Sequence, residues 1–289
     1  MSIASLPGVA VFLGRYDAAI VDLWGVIHDG VQPYPDVPDA LKRLGAAGIR
    51  IILLSNAPRR SSRVVAMLER MGIAREAYFD ILTSGEIAHR TMAERASDPT
   101  TRREIFHIGP PRDEALLDDL GYVRVPRLAD AAWILCTGPT HDEVQTAADF
   151  AAEIAEGVAR KLPLLCANPD LTVMRQDREI VCAGSIALAY ERAGGRVDWF
   201  GKPHPPAYEA CFALLPGMER PRIVCIGDSL RTDIAGADRM NLDSILVPGG
   251  IHAAELALAS DGRPDAAKLA AACATAGVRP TFVMPAFRW

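Results

Sequence analysis

Long apolar runs are missing from this chain: no stretch of its 289 residues reaches the ~18 consecutive apolar positions that a membrane helix needs. The opening segment, MSIASLPGVAVFLGRYDAAIVDLWG, lacks the cationic start and the cleavage site of a secretory leader, so a cytoplasmic protein is expected. Basic charge is also short. Lysine plus arginine number 31 against 36 aspartates plus glutamates, leaving a net charge of −5 and no excess to neutralise phosphates along a polymer. Neither nucleic acid nor a membrane is expected as a partner. The six cysteines (Cys136, Cys166, Cys182, Cys211, Cys225 and Cys273) form no CxxC pair, which excludes a zinc site or disulfide framework of ordinary spacing. Most lie inside apolar runs and read as buried thiols. No repeat or low-complexity segment is present. With 50% hydrophobic and 23% charged residues the composition is that of a globular protein, and at roughly 150 residues per domain the length suits about two domains.

What is present is an alternation of buried strands and helices. AAIVDLW (18–24) and IRIILLSN (49–56) are continuous apolar runs suited to strands covered on both faces, and the helical PDALKRLGAAG lies between them. Near the other end PRIVCIGDS (221–229) and DSILVPGG (243–250) flank the amphipathic TDIAGADRMN and repeat the strand–helix–strand pattern. The two ends read as halves of one Rossmann-like doubly wound α/β domain with a parallel sheet, 1–85 plus 197–289. The middle, 86–196, carries its own alternation: IFHIG, then DEALLDDLG, YVRV, AAWILCTGP, a helix near 142–161, PLLCANPD, REIVCAG and IALAYERAGG. It reads as an inserted α/β domain. The segment 254–277 reads as Ala-rich helix with a polar turn.

Ligands of doubly wound sheets bind beyond the carboxyl ends of the strands, so polar residues that end apolar runs are the candidates. These are Asp22, Ser55 with Asn56, Lys202 in FGKPHP, and Asp228 with Asp233 in IGDSLRTDI. Taken singly, each Asp or Ser reads as a helix N-cap and Lys202 as a surface lysine. Together they supply what phosphoryl transfer requires: a carboxylate nucleophile, a hydroxyl and amide for phosphate oxygens, a lysine to offset charge, and carboxylates for Mg²⁺.

This set, in this order, resembles the four motifs of the haloacid dehalogenase (HAD) superfamily. Asp22 and Ser55 are 33 residues apart, whereas Ser55 and Lys202 are 147 apart with the inserted domain between them. That placement resembles class IIA, whose members carry a C2-type cap and include 4-nitrophenylphosphatase-like, sugar and nucleotide phosphatases and pyridoxal phosphate phosphatase. ILTSGEIA (81–88), CANPD (166–170), AGSIALAYE (183–191) and GKPHPPAYEAC (201–211) look like further landmarks of that class. The resemblance implies a Mg²⁺-dependent hydrolase of small phosphorylated metabolites working through an aspartyl phosphate on Asp22. Ser55 and Asn56 would hold the phosphoryl oxygens, and Lys202 would bridge nucleophile and phosphate. Asp22, Asp228, Asp233 and the Trp24 backbone carbonyl would hold the metal. In the cap, Asn168 and Asp170, with Arg175 in the same loop, would contact substrate or else be turn residues. A homodimer is left open.

One position departs from the pattern. Where the superfamily places a second aspartate that protonates the leaving oxygen and then activates water, this sequence has Trp24. An indole cannot shuttle that proton. Three readings stay open: a non-catalytic phosphometabolite-binding protein, an enzyme with His28 or Asp29 as substitute acid, or an enzyme of activated phosphates.

Overall fold

The computed structural model describes residues 3–175 and 178–289, with Met174 and Arg175 described by their backbone alone. The chain divides into two compact units, Met1–Ser55 with Ser62–Leu82 and Ala207–Trp289, and Asn56–Ser61 with Thr83–Pro206. In chain order the first unit begins with β1 (Ala4–Ser5), β2 (Ala18–Val21), α1 (Val37–Ala46), β3 (Arg50–Ser55), α2 (Ser61–Arg70) and β4 (Asp80–Thr83). Next come α3 (Ser84–Ala96), β5 (Glu104–Ile108), β6 (Val123–Arg124), β7 (Trp133–Cys136), α4 (Ala151–Ala159), β8 (Leu164–Cys166), β9 (Thr172–Arg175), β10 (Arg178–Val181), α5 (Ala183–Arg192) and β11 (Val197–Trp199). The return is through α6 (Pro205–Ala213), β12 (Ile223–Gly227), α7 (Ala235–Arg239), β13 (Asp243–Leu246), α8 (Ala266–Ala276) and β14 (Phe282–Val283).

The first unit is built on a seven-stranded sheet in the order β1-β14-β13-β12-β2-β3-β4. β2 pairs in parallel with both β3 and β12, and β12 in turn with β13. All four residues of β2, Ala-Ala-Ile-Val, are buried, as an apolar run at the centre of a parallel sheet should be. Helix α1 buries Val37, Ala40, Leu41 and Leu44, a spacing that lays one apolar stripe along its length. From the β2–β12 pair the chain winds one way through β3 and β4 and the other way through β13 and β14.

The second unit holds a five-stranded sheet, β11-β8-β7-β5-β6, whose pairs are all parallel. Its core gathers Ile108, Ile134, Cys136, Leu164, Cys166, Ile186 and Tyr190, and the Tyr190 hydroxyl donates to the Leu162 carbonyl at 2.7 Å. Trp199 packs partly on this core. The expected parallel α/β class is found in both units, and all six cysteines are free and buried. Among the described residues no helix is long and apolar enough to cross a membrane.

Several elements differ from the sequence reading. The helix expected near 142–161 is regular only over Ala151–Ala159, because Thr146 and Asp149 form a capping box that opens a 3₁₀ turn first. A 3₁₀ segment, Pro111–Leu117, takes in the first part of DEALLDDLG. The Ala-rich stretch becomes helical only at Ala266, where the Asp265 carboxylate caps the amides of Ala267 and Lys268. The REIVCAG strand pairs antiparallel with β9 in a separate hairpin.

Helix α7 approaches α6 closely enough that a Cβ on Gly236 would overlap the hydroxyl and ring of the buried Tyr208. Gly236→Ala is therefore expected to destabilise the protein by about 1–3 kcal/mol through overpacking. Removing the hydroxyl in Gly236→Ala/Tyr208→Phe should return part of that loss in denaturant unfolding; an unaltered midpoint for the single variant would show that the helices can separate without cost.

Candidate active site

β2 and β12 are neighbours from which the chain departs in opposite directions, and the crevice beyond their carboxyl ends is where doubly wound sheets bind ligands. Asp22 is the first residue after β2 and Asp228 the first after β12. The Asp22 amide donates to the Ile226 carbonyl at 2.8 Å, which extends the strand pairing up to Asp22. Asp233 lies in a five-residue π-helical turn, Leu230–Ile234, capped by Ser229, whose hydroxyl accepts from the Thr232 amide. Such wide turns widen a helix locally and are frequent at functional sites. One carboxylate oxygen from each of Asp22, Asp228 and Asp233 lies within 4.8 Å of the others, and all three residues are buried.

Main-chain amides and glycines wall this cluster. The Asp228 carboxylate accepts from the Ile251 amide at 2.9 Å, and Asp233 accepts from the Ser229 amide at 3.2 Å and the Thr232 hydroxyl at 3.4 Å. A Cβ on Gly25 or Gly250 would run into Asp228, and one on Gly227 into Asp233. Gly25 also has φ +81°, a conformation that other residues adopt only with strain. At 4.8 Å two ionised carboxylates repel by about 3 kcal/mol at an effective dielectric near 20. An all-oxygen donor set in a cradle too tight for a Cβ fits a hard divalent ion. Ser55, the last residue of β3, is partly buried in the same unit.

The second unit brings together Asn56, Lys202, Asn168 and Asp170. The Asn56 carboxamide donates to Asp170 Oδ1 at 2.9 Å and to the Lys202 carbonyl at 3.0 Å, while its oxygen accepts from the Lys202 amide at 2.8 Å. The side chain of Asn56 is thus a clamp on Lys202. Asn168 Oδ1 accepts from the Asp170 amide at 3.0 Å, an Asx turn that shapes the loop after β8. A Cβ on Gly201 would meet Asn56, Pro169 and Ser84, so the clamp closes only around a glycine. Lys202 is 3% exposed. Arg175 ends β9, and its side chain lies outside the described residues. His204 precedes α6 and stacks on Trp199, with ring centroids 5.0 Å apart and planes 6° from parallel.

The loop after β2 carries Trp24, His28 and Asp29. The indole lies over Gly30, where a Cβ would strike its ring, and meets His28 edge to face at 5.6 Å. His28 is 2% exposed beneath it. Its Nδ1 accepts from the Gly30 amide at 3.0 Å, which assigns the ring proton to Nε2, a buried atom without a hydrogen-bond partner. Desolvation drives the His28 pKa down to about 4. Asp29 accepts from the amides of Gln32 and Val31 at 2.8 Å each, and these bonds hold its carboxyl below the usual range. Burial thus disfavours the charged imidazolium at His28, and the two amides favour the charged carboxylate at Asp29.

Sequence reasoning did not single out the wall of Gly25, Gly227 and Gly250 or the Ile251 amide. Gly249 and Gly250 read only as a turn after a strand, which they are, and nothing local showed that the turn would press on Asp228.

A pH dependence follows from His28. Its folded pKa, about 4, lies below the ordinary 6.5, so between those values the unfolded chain binds more protons. Its contribution to stability is full above 6.5 and is lost as pH falls through 4, by about 3 kcal/mol at roughly 1.4 kcal/mol per unit. The His28 ring resonance should titrate near pH 4 in NMR spectra; a midpoint near 6.5 would mean that the indole does not seal it.

Comparison with known proteins agrees with this geometry. A family profile described as haloacid dehalogenase-like hydrolase matches residues 19–123, and one described as HAD-hydrolase-like matches residues 199–284. The crystal structure of a haloacid dehalogenase-like hydrolase from Brucella suis is similar with TM-score 0.82 and 36% identity, over 98% of this chain and 99% of that one. Chronophin from Mus musculus is 26% identical over 86% of each chain. The 4-nitrophenylphosphatase from Schizosaccharomyces pombe is 25% identical, over 86% of this chain and 89% of its own. With its strand-end aspartates, its parallel sheet and a 36%-identical relative matched nearly end to end, the chain belongs to the haloacid dehalogenase-like hydrolase family.

Proposed function

We propose that this hydrolase is a Mg²⁺-dependent phosphatase of small phosphorylated metabolites, of sugar or nucleotide type, and that it turns over slowly except on activated phosphates. The observation that carries the reading is the burial of Asp22, Asp228 and Asp233 within 4.8 Å at the point where the sheet reverses its winding. The name of one relative, a 4-nitrophenylphosphatase, supports hydrolysis of phosphate esters.

Asp22, Asp228, Asp233 and the Trp24 backbone carbonyl would hold Mg²⁺, which supplies positive charge where an anionic phosphate meets carboxylates. An Asp22 carboxylate oxygen attacks phosphorus; the new O–P bond forms as the ester P–O bond breaks, and its electron pair leaves on the ester oxygen. The Ser55 hydroxyl donates to a phosphoryl oxygen. Asn56, its carboxamide engaged on Lys202, offers its main-chain N–H for the same task. The Lys202 ammonium offsets the repulsion between nucleophile and phosphate, and Asn168 and Asp170 set the loop that selects the leaving group. Water then attacks phosphorus, giving inorganic phosphate and restoring Asp22. No carboxylate at position 24 protonates the first leaving oxygen or takes the proton of this water, a loss of roughly 10²- to 10⁴-fold.

A second reading, a phosphometabolite-binding protein without turnover, is favoured by one observation: Trp24 stands where the superfamily has its proton-shuttling aspartate. Phosphate release from a metabolite panel with Mg²⁺ separates the two; binding without release selects the second.

Two outcomes test the chemistry. Aryl and acyl phosphates should give a rapid burst and then slow turnover, since a good leaving group bypasses only the first proton transfer, and Trp24→Asp should speed the slow phase. Fast, burst-free hydrolysis of alkyl phosphates by the natural chain would contradict this. For the metal, Gly250→Ala places a methyl against Asp228 without a backbone conformation foreign to alanine. It should weaken Mg²⁺ binding roughly 10-fold or more by calorimetry, whereas unchanged affinity would remove Asp228 from the ligand set.

A further inference from the structure

The segment that follows β13 touches the acidic cluster more than once. Gly250 abuts Asp228, and the Ile251 amide donates to Asp228 Oδ2 at 2.9 Å. One residue on, His252 Nε2 accepts from the amide of Leu230 at 3.2 Å. Leu230 opens the π-helical turn that carries Asp233, and an amide in a first helical turn has no partner within its own helix. The imidazole supplies that partner from a segment 22 residues further along the chain.

The other ring nitrogen fixes the tautomer. With Nε2 accepting, Nδ1 carries the proton and donates to Glu255 Oε2 at 2.8 Å. Behind this pair the segment is anchored by Leu256, which is fully buried in a cluster with Leu230, Ile234 and Leu246, and by its amide, which donates to the His252 carbonyl at 2.9 Å. Asp228 lies two residues before the turn that His252 ties down, and Asp233 lies within it. Groups that orient metal ligands through hydrogen bonds, without touching the metal, are common, and their loss weakens metal binding.

We propose that His252, oriented by Glu255, is a positioning residue that holds the Ser229–Asp233 turn at the separation from Asp228 which a divalent cation requires. This rests on the metal assignment above. The ring touches neither metal nor substrate; it acts through the Leu230 amide.

The test is Mg²⁺ titration calorimetry on the full chain, with thermal unfolding in EDTA as the measure of fold alone. His252→Ala should weaken Mg²⁺ binding roughly 10- to 100-fold. His252→Gln, whose side-chain oxygen can accept from the Leu230 amide, should restore most of that affinity, while the two variants unfold at similar temperatures in EDTA. Glu255→Ala, a surface change, should fold normally and show a several-fold loss. In turnover assays His252→Ala should need more Mg²⁺ for half-maximal rate, with the rate at saturating Mg²⁺ unchanged. Natural affinity in His252→Ala would overturn the proposal, as would equal weakening in the Ala and Gln variants. A natural chain that unfolds cooperatively but takes up no Mg²⁺ would instead refute the metal assignment, and this proposal with it.

Discussion

Mutual repulsion among Asp22, Asp228 and Asp233 is the constraint around which the first unit is arranged. Two of these carboxylates emerge from adjacent parallel strands, so their closeness is a product of the sheet and cannot relax without breaking the β2–β12 pairing. The third is brought in by a turn one residue wider than an α-helix would allow. What keeps the three together is a ring of partial positive charge from main-chain amides, Ile251 and Ser229 in particular, and the omission of side chains at Gly25, Gly227 and Gly250. The fold places acids where they oppose its own stability, a cost accepted at sites that must meet a charged ligand.

The second unit solves a different problem. A lysine at the end of a long insertion must be held in one place, and Asn56 does this with both ends of its carboxamide, joining positions 146 residues apart. The motif pairing of a hydroxyl residue with asparagine therefore serves two tasks: Ser55 ends a strand of the first unit, while its neighbour anchors the start of the second to Lys202 and Asp170. Burial of Lys202 and the glycine at 201 belong to the same arrangement.

Much of this was legible in the sequence because parallel strands announce themselves as apolar runs and end in conspicuous polar residues. Asp22, Asp228 and Asp233 could be read from AAIVD and VCIGDSLRTD, and the apolar runs around them located β2, β3, β12 and β13. Two-residue strands such as β1, at the sheet edge, and β14, beside it, carry no periodicity and were invisible. Helix starts were misplaced where Thr146 and Asp265 delay the first α-turn by capping. The Asn56 side chain read as a phosphate ligand because spacing says nothing about which of its atoms another segment has already engaged. Gly250 and His252 act on the acidic cluster across the fold, through a glycine's missing Cβ and a ring nitrogen on a distant amide, and neither leaves a local signature.

The pairing of β2 with β12 also sets an order of events during synthesis. β2 ends at Val21 and its partner begins at Ile223, so the central strand leaves the ribosome with one side lacking its neighbour until roughly 200 further residues are made, about 10 to 40 s at ordinary elongation rates. The five-stranded sheet of the inserted unit draws on strands between Glu104 and Trp199 and is complete within the nascent chain before β12 exists. For that interval a fully apolar strand presents a bare hydrogen-bonding edge, a natural point of engagement for a chaperone and of mispairing in its absence.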